Sequence, residues 1–297
     1  MRQYLDLCQR VLDEGVEKPN RTGINTIGIH GAMMQFNMDD GFPAVTTKKL
    51  AYKAVFAEML GFLRGYDNAA DFRKLGCKVW DANANENKQW LDNPYRKGED
   101  DLGCIYGVQA RAFPGMDYYN SPRVVDQLRG VYDDLRQGID NRREIVSHWN
   151  PAALDQMALP PCHLLYQFGI QPAHDIMTMT GRGDESVLNL SMYQRSCDLP
   201  LGVPFNIAGY AWLLHVMAKI TGHRAGVFTH FLHDVHIYKN QVDDMKEQLK
   251  RDPLRLPALH IDQRIETLED LETWVTPGIF KLDNYVHHDP IKYAFAV

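Results

Sequence analysis

Apolar residues first recur at helical spacing near the N-terminus, where Tyr4, Leu5, Cys8, Val11 and Leu12 share a face and Gly15 supplies a stop. After a loop opened by Arg21-Thr22-Gly23, residues 26–36 have the character of a strand. Residues 50–63 predict a helix ending near Gly65, residues 122–137 another, residues 144–149 an extended segment, and residues 163–170 and 187–195 two strands. Residues 203–221 are apolar almost all round yet contain Asn206, His215 and Lys219, which predicts a buried helix stopped by Gly222 and not a membrane span. Residues 86–101 are polar, charged and punctuated by Asn, Pro and Gly, so they predict an irregular surface insertion. Strands separated by helices without strict alternation give an α/β (α+β) class, a mixed sheet with helices. No repeat or linker divides the chain, so a single domain over residues 1–297 is expected.

Composition narrows the function classes. The 297 residues carry 32 basic and 38 acidic side chains, a net charge of −6 that argues against a protein coating nucleic acid. The five cysteines are odd in number and form no C-x-x-C pair, which disfavours a disulfide framework or a structural zinc and suits a reduced, cytoplasmic setting. No metal site is expected. The start, Met1-Arg2-Gln3-Tyr4-Leu5-Asp6, has no apolar stretch of the secretory kind.

Several residues could carry chemistry, each with a plainer reading beside it. Cys162 is either a small core hydrophobe or a nucleophile. His163 next to it would point to the opposite face of an extended segment, so a thiolate at Cys162 needs support from cations brought from elsewhere. Arg142, Arg143 and Arg195 are surface charges or a phosphate clamp, because guanidinium forks match phosphate oxygens. Glu58 lies on the apolar stripe of its helix, where a carboxylate is paired structurally or kept for proton transfer. Asn206 sits among apolar neighbours, and its carboxamide makes a local backbone bond or reads a base edge such as the O4/N3–H edge of uracil. His236 and Tyr238 share one face of a strand and hold a sugar hydroxyl or each other.

Taken together, these segments resemble the thymidylate synthase superfamily over nearly the whole chain. The resemblance is carried by Arg21-Thr22-Gly23, Gly41-Phe42-Pro43, Thr46-Thr47-Lys48-Lys49, Val79-Trp80-Asp81, Ile105-Tyr106-Gly107, Arg142-Arg143 and Pro161-Cys162-His163. It continues through Gln194-Arg195-Ser196-x-Asp198, Leu201-Gly202-x-Pro204-Phe205-Asn206-Ile207-Ala208, Asp234-x-His236-Ile237-Tyr238 and the terminal Ala296-Val297. It implies a homodimer whose active sites exchange arginines, and a reaction between dUMP and 5,10-methylenetetrahydrofolate. By position, Cys162 would attack C6 of dUMP. Arg21, Arg195 and Ser196 would bind phosphate with Arg142 and Arg143 of the other subunit, His236 and Tyr238 would hold the deoxyribose, and Asn206 the uracil. Glu58 and His163 would organise water and protons, with Tyr106 and Asp198 completing the catalytic set. Val79, Trp80, Asn83, Leu159, Asp198, Leu201, Gly202, Phe205 and Val297 would line the folate.

The departures from the family pattern set a sharper expectation. Gly61 and Ala110 stand where the family has tryptophan, His148 where it has a small residue, and His233 where it has glycine. Losing two indoles leaves space that two imidazoles could make polar, so a wetter pocket beside Glu58 is expected. Water captured at the exocyclic methylene of the nucleotide would give 5-hydroxymethyl-dUMP and tetrahydrofolate, whereas hydride gives dTMP and dihydrofolate. The sequence therefore leans to a dUMP hydroxymethylase of the kind phages use, in a bacterial or phage-infected cytosol, with ordinary thymidylate synthase as the alternative. An inactive nucleotide- or RNA-binding paralogue is a distant third reading.

Overall fold

Six strands assemble into one sheet in the order β1-β2-β8-β7-β6-β5. These are β1 (Val16–Lys18), β2 (Thr26–Asn37), β5 (Ile145–Ser147), β6 (His163–Gln171), β7 (Val187–Asp198) and β8 (Arg224–Tyr238). The computed structural model describes residues 1–172 and 185–294, so Val297 of the expected folate set lies outside the described residues. The sheet is mixed: β7 and β8 run parallel and the other described pairs antiparallel. Parallel neighbours need a long crossover, and helix α8 (Gly202–Thr221) supplies it. Its apolar surface is buried almost all round, and Gly222, at φ +81°, closes it by donating its N–H to the Ala218 and Lys219 carbonyls.

Helix α1 (Arg2–Glu14) buries Tyr4, Leu5, Leu7, Cys8 and Val11, the face its spacing predicts. Helix α2 (Tyr52–Leu63) packs its buried face against α8 and so carries Glu58 to the interior. Along β8 the alternation turns Phe228, His230 and Leu232 inward and Phe231 and His233 outward. The outward positions form a row in register across four strands, Met33–Phe231–Tyr193–Leu165, and each is more than a third exposed.

Two segments differ from expectation. Residues 122–137 are not one helix: β4 (Pro122–Val125) pairs with β3 (Phe113–Met116) as a hairpin, and α7 (Gln127–Arg136) begins only after Asp126, whose side chain caps it at the Arg129 N–H. Proline at the segment's start fits a strand end or a helix start equally, and the aspartate decides where the helix begins. The 86–101 stretch is polar outside but ordered. Within it α5 (Lys88–Leu91) buries Trp90, whose indole N–H donates to the Asp101 carbonyl at 2.7 Å, and Asp100 accepts from both Arg73 and Asn85. A large indole with a buried N–H acceptor anchors a loop that charge alone would leave solvated.

Candidate active site

Strands β7 and β8 end side by side at a cavity of about 200 Å³. Register sets Ser196 against Asp234 and Asp198 against His236, so the alternation of β8 aims Asp234, His236 and Tyr238 at the opening. Cys162, Leu159, Arg21, Arg195 and Ser196 complete the expected part of the lining. The nucleophile candidate therefore shares one small space with two guanidinium groups and a hydroxyl. Arg195 is fixed there: its Nε and Nη2 donate to the Pro161 and Pro160 carbonyls at 2.8 and 2.9 Å, and its guanidinium lies over the Trp149 ring.

Cys162 precedes β6, held by its N–H donating to the Tyr106 hydroxyl at 2.6 Å and by its carbonyl accepting from the Arg195 N–H. Burial pushes its thiol up, while Arg195, Tyr106 and Arg21 pull it back. The thiolate thus depends on those cations. His163 is buried with Nε2 at 2.7 Å from Asn206 Nδ2, and burial lowers its imidazole to about 3, so it is neutral. Glu58 is the strongly perturbed acid. Burial raises it to about 7, opposed by the Trp80 indole N–H donating to Oε1 at 3.0 Å. A carboxyl balanced near neutrality can both release and take up a proton.

The remaining expected residues are placed less uniformly. Arg142, at φ +69°, and Arg143 are exposed on the turn before β5, and neither is among the residues lining the cavity. Asp198 accepts from the Leu201 N–H at 3.3 Å and is pushed up by burial, against His236, Leu201 and Lys48. Gly202 opens α8 where an added Cβ would sit 3.8 Å from both Asn206 Oδ1 and Asp198 Cβ. Phe205 and Asn206 follow on the same helix, Leu201 and Phe205 are partly exposed, Asn83 is half-buried and Val79 exposed.

Sequence reasoning missed Lys18, Asn20, Thr22 and Thr26, which also line the cavity, and gave Asp234 no role. Lys18 and His236 Nδ1 both bond Asp234, at 2.5 and 3.1 Å. A carboxylate only accepts, so His236 carries a proton on Nδ1, which turns Nε2 away from Asp234. Both partners hold the Asp234 carboxyl well below its usual range, His236 most. Lys18 and Asn20 flank Arg21-Thr22-Gly23 in sequence, and that nearness was the one available signal.

The positions expected to make a wet pocket do not make one. An added Cβ at Gly61 would meet Phe72 Cε1 at 2.2 Å, so the space freed by the absent indole is filled by a fully buried ring packed on Phe62, Tyr66 and Trp80. Ala110 is buried on α6 (Tyr106–Arg111). His148 is buried edge-on to Tyr106 and Tyr166, with Nδ1 at 3.1 Å from the His163 carbonyl, and burial lowers it to about 4. His233 is exposed on the outward face of β8 beside His30.

The family profile described as Thymidylate synthase matches residues 2–297. Proteins named Thymidylate synthase from Shewanella halifaxensis, Pasteurella multocida and Vibrio parahaemolyticus are 48%, 49% and 47% identical over 300, 302 and 300 residues, covering all of each chain. These full-length relatives overturn the expectation of a dUMP hydroxymethylase and of a phage-type role, and nothing in the filled space beside Glu58 supports water capture. Matched from end to end, and with Cys162 lining one cavity beside Arg21 and Arg195, the chain belongs to the thymidylate synthase family.

Proposed function

We propose that the protein forms dTMP, methylating C5 of dUMP. As a member of its family it is a folate-dependent one-carbon transferase acting on dUMP, with 5,10-methylenetetrahydrofolate as the donor. The folate supplies the methylene carbon and the hydride that makes it a methyl group, and leaves as dihydrofolate. The observation that carries the reading is the cavity that holds Cys162 together with Arg21, Arg195 and Ser196 at one end of β7 and β8.

In this reading Arg21, Arg195 and Ser196 take the phosphate dianion, offsetting locally the −6 of the whole chain. His236 Nε2 and the Tyr238 hydroxyl take the sugar. Asn206 offers an amide N–H and carbonyl to the uracil edge. Cys162 Sγ attacks C6, which makes C5 nucleophilic, and loss of the thiolate restores the pyrimidine at the end. Glu58 handles protons at the base, aided by Tyr106, and neutral His163 fixes Asn206. The chain also fits the donor. Leu159 lines the cavity and would offer the donor apolar surface, and the Asp198 carboxyl, raised by burial, would hold a pterin N–H; Val79, Trp80, Asn83, Leu201, Gly202 and Phe205 would take the rest of the folate.

A homodimer is part of the proposal. The exposed apolar row Met33–Phe231–Tyr193–Leu165 offers a second copy a flat face, and Arg142 and Arg143 project where a neighbouring site could use them. So is a cytoplasmic setting; among the described residues no helix is long and apolar enough to cross a membrane. Incubation with dUMP and methylenetetrahydrofolate should give a methylated nucleotide and equimolar dihydrofolate, and Cys162→Ala should give neither. A hydroxymethyl product with tetrahydrofolate would refute the proposal.

A further inference from the structure

Behind Asn206 a line of buried polar side chains runs into the sheet. Asn206 Oδ1 lies 2.9 Å from Gln194 Nε2, which also lies 2.9 Å from the main-chain carbonyl of Ser196. Gln194 Oε1 lies 2.8 Å from Nε2 of His230. His230 and Gln194 are 0% and 2% exposed, on the inward faces of β8 and β7. Sequence reasoning gave neither a role.

The polarity of this line can be worked out from its one invariable member. A main-chain carbonyl only accepts, so the Gln194 atom facing Ser196 is the amide nitrogen and its oxygen faces His230. His230 therefore carries its proton on Nε2 and donates. Its Nδ1 has no partner among the described residues. Burial keeps this imidazole neutral, lowering it to about 3. Toward the site the polarity passes to Asn206 and leaves the His163 proton on Nδ1, an atom with no partner among the described residues. The Gln194 amide nitrogen meets Asn206 Oδ1, which turns Asn206 Nδ2 toward His163. One Nδ2 hydrogen and one Oδ1 lone pair remain for a ligand. Uracil, with its O4 acceptor and N3–H donor, matches that pair, and cytosine, with an N4 amine and a bare N3, reverses it.

We propose that His230 is a positioning residue for base selection, its Nε2–H holding Gln194 and through it the orientation of the Asn206 carboxamide that prefers uracil to cytosine. The inference rests on Asn206 reading the base, as in the function proposed above. Without the imidazole N–H, Gln194 Oε1 is left buried without a donor, and turning both amides over gives that oxygen the Asn206 N–H but leaves the Gln194 N–H groups unpaired and two oxygens facing each other at Ser196, so neither orientation is fully satisfied. His230 and the Ser196 carbonyl thus hold the pair from two sides, and losing one weakens discrimination without abolishing it.

The test measures Kd for dUMP and for dCMP on the full chain. His230→Phe should narrow the preference for dUMP about tenfold, whereas His230→Gln, which keeps a donor toward Gln194, should stay within about twofold of the unmodified protein. A His230→Phe protein that weakens both nucleotides equally, or a His230→Gln protein that behaves like it, would overturn the proposal. Asn206→Asp separates the levels. A shift toward dCMP there, with none in His230→Phe, removes His230 from base selection and leaves the base reading standing; no shift in Asn206→Asp removes both. The unmodified protein gives a check independent of folding of any variant: nitrogen NMR of labelled histidine should show His230 as the Nε2–H tautomer near neutral pH, and an Nδ1–H tautomer would refute the polarity.

Discussion

Trp80→Phe isolates the balance that sets the Glu58 proton. Burial pushes this carboxyl up to about 7, and the indole N–H donating to Oε1 acts against it. Phenylalanine keeps a ring among Phe62, Phe72 and Tyr106, at centroid distances of 6.0, 6.1 and 5.9 Å in the parent, and removes the donor. A hydrogen bond to a charged group contributes about 1.5–3 kcal/mol, and at the lower end of that range the ionised form loses about 1.5 kcal/mol. That moves the Glu58 titration from about 7 to about 8. The ionised fraction at pH 7 then falls from about one half to about one tenth, so a rate that needs the carboxylate falls about fivefold at pH 7 and recovers above pH 9. The assay is kcat/KM for dUMP against pH, followed by dihydrofolate formation. Loss of ring contact with the folate would lower the whole profile evenly, so the readout is the position of its limb. A profile lowered equally at every pH would refute the claim that the indole tunes Glu58.

Glu58→Gln should abolish turnover yet stabilise the fold at alkaline pH. The folded carboxyl holds its proton more tightly than the unfolded one, so wild-type stability falls as pH rises from about 4.5 to about 7. The variant should gain about 3 kcal/mol at pH 8 and almost nothing at pH 4 in denaturant melts, and an equal difference at both would contradict the shift. Phe231→Asp, in the middle of the exposed row, should convert a dimer to monomers in sedimentation, and an unchanged sedimentation coefficient would place the interface elsewhere. Gly61→Trp should destabilise by about 3 kcal/mol through collision with Phe72, and Phe72→Ala in the same chain should recover a good part of it. Additive costs in thermal melts would mean that Phe72 does not fill that space.

Local periodicity made the sheet and its crossover legible. Residues 26–36, 163–170 and 187–195 lie within β2, β6 and β7, and the 203–221 helix ends at Gly222 where its αL geometry requires. The same reasoning failed where one residue outweighed its neighbours. Trp90 orders a charged stretch from within, and Asp126 moves a helix start past a proline. Lys18 and Asp234 meet across 216 residues of chain, and such a pair leaves no mark in any window. Of the cavity, the sequence supplied the residues with obvious chemistry and missed those that orient them: Asp234 on His236, and Gln194 and His230 behind Asn206.

The error about water has one physical source. Reading Gly61 and Ala110 as missing volume assumed that the volume stayed empty or was taken by the nearest new polar groups. Phe72, outside both motifs, is what fills it at Gly61, and its ring joins Phe62, Trp80 and Tyr106 in one aromatic wall, with Phe62 and Tyr106 stacked at 4.9 Å. That wall has two effects on the chemistry. It excludes solvent beside Glu58, which raises the carboxyl to about 7, and it fixes the ring whose hydroxyl takes the Cys162 N–H. A wetter site would lower Glu58 toward its ordinary range and weaken it as a proton carrier at neutral pH. The dryness that disfavours water capture and the perturbed carboxyl needed for proton transfer are therefore one property of the packing, and a substitution that admits water should lose both together.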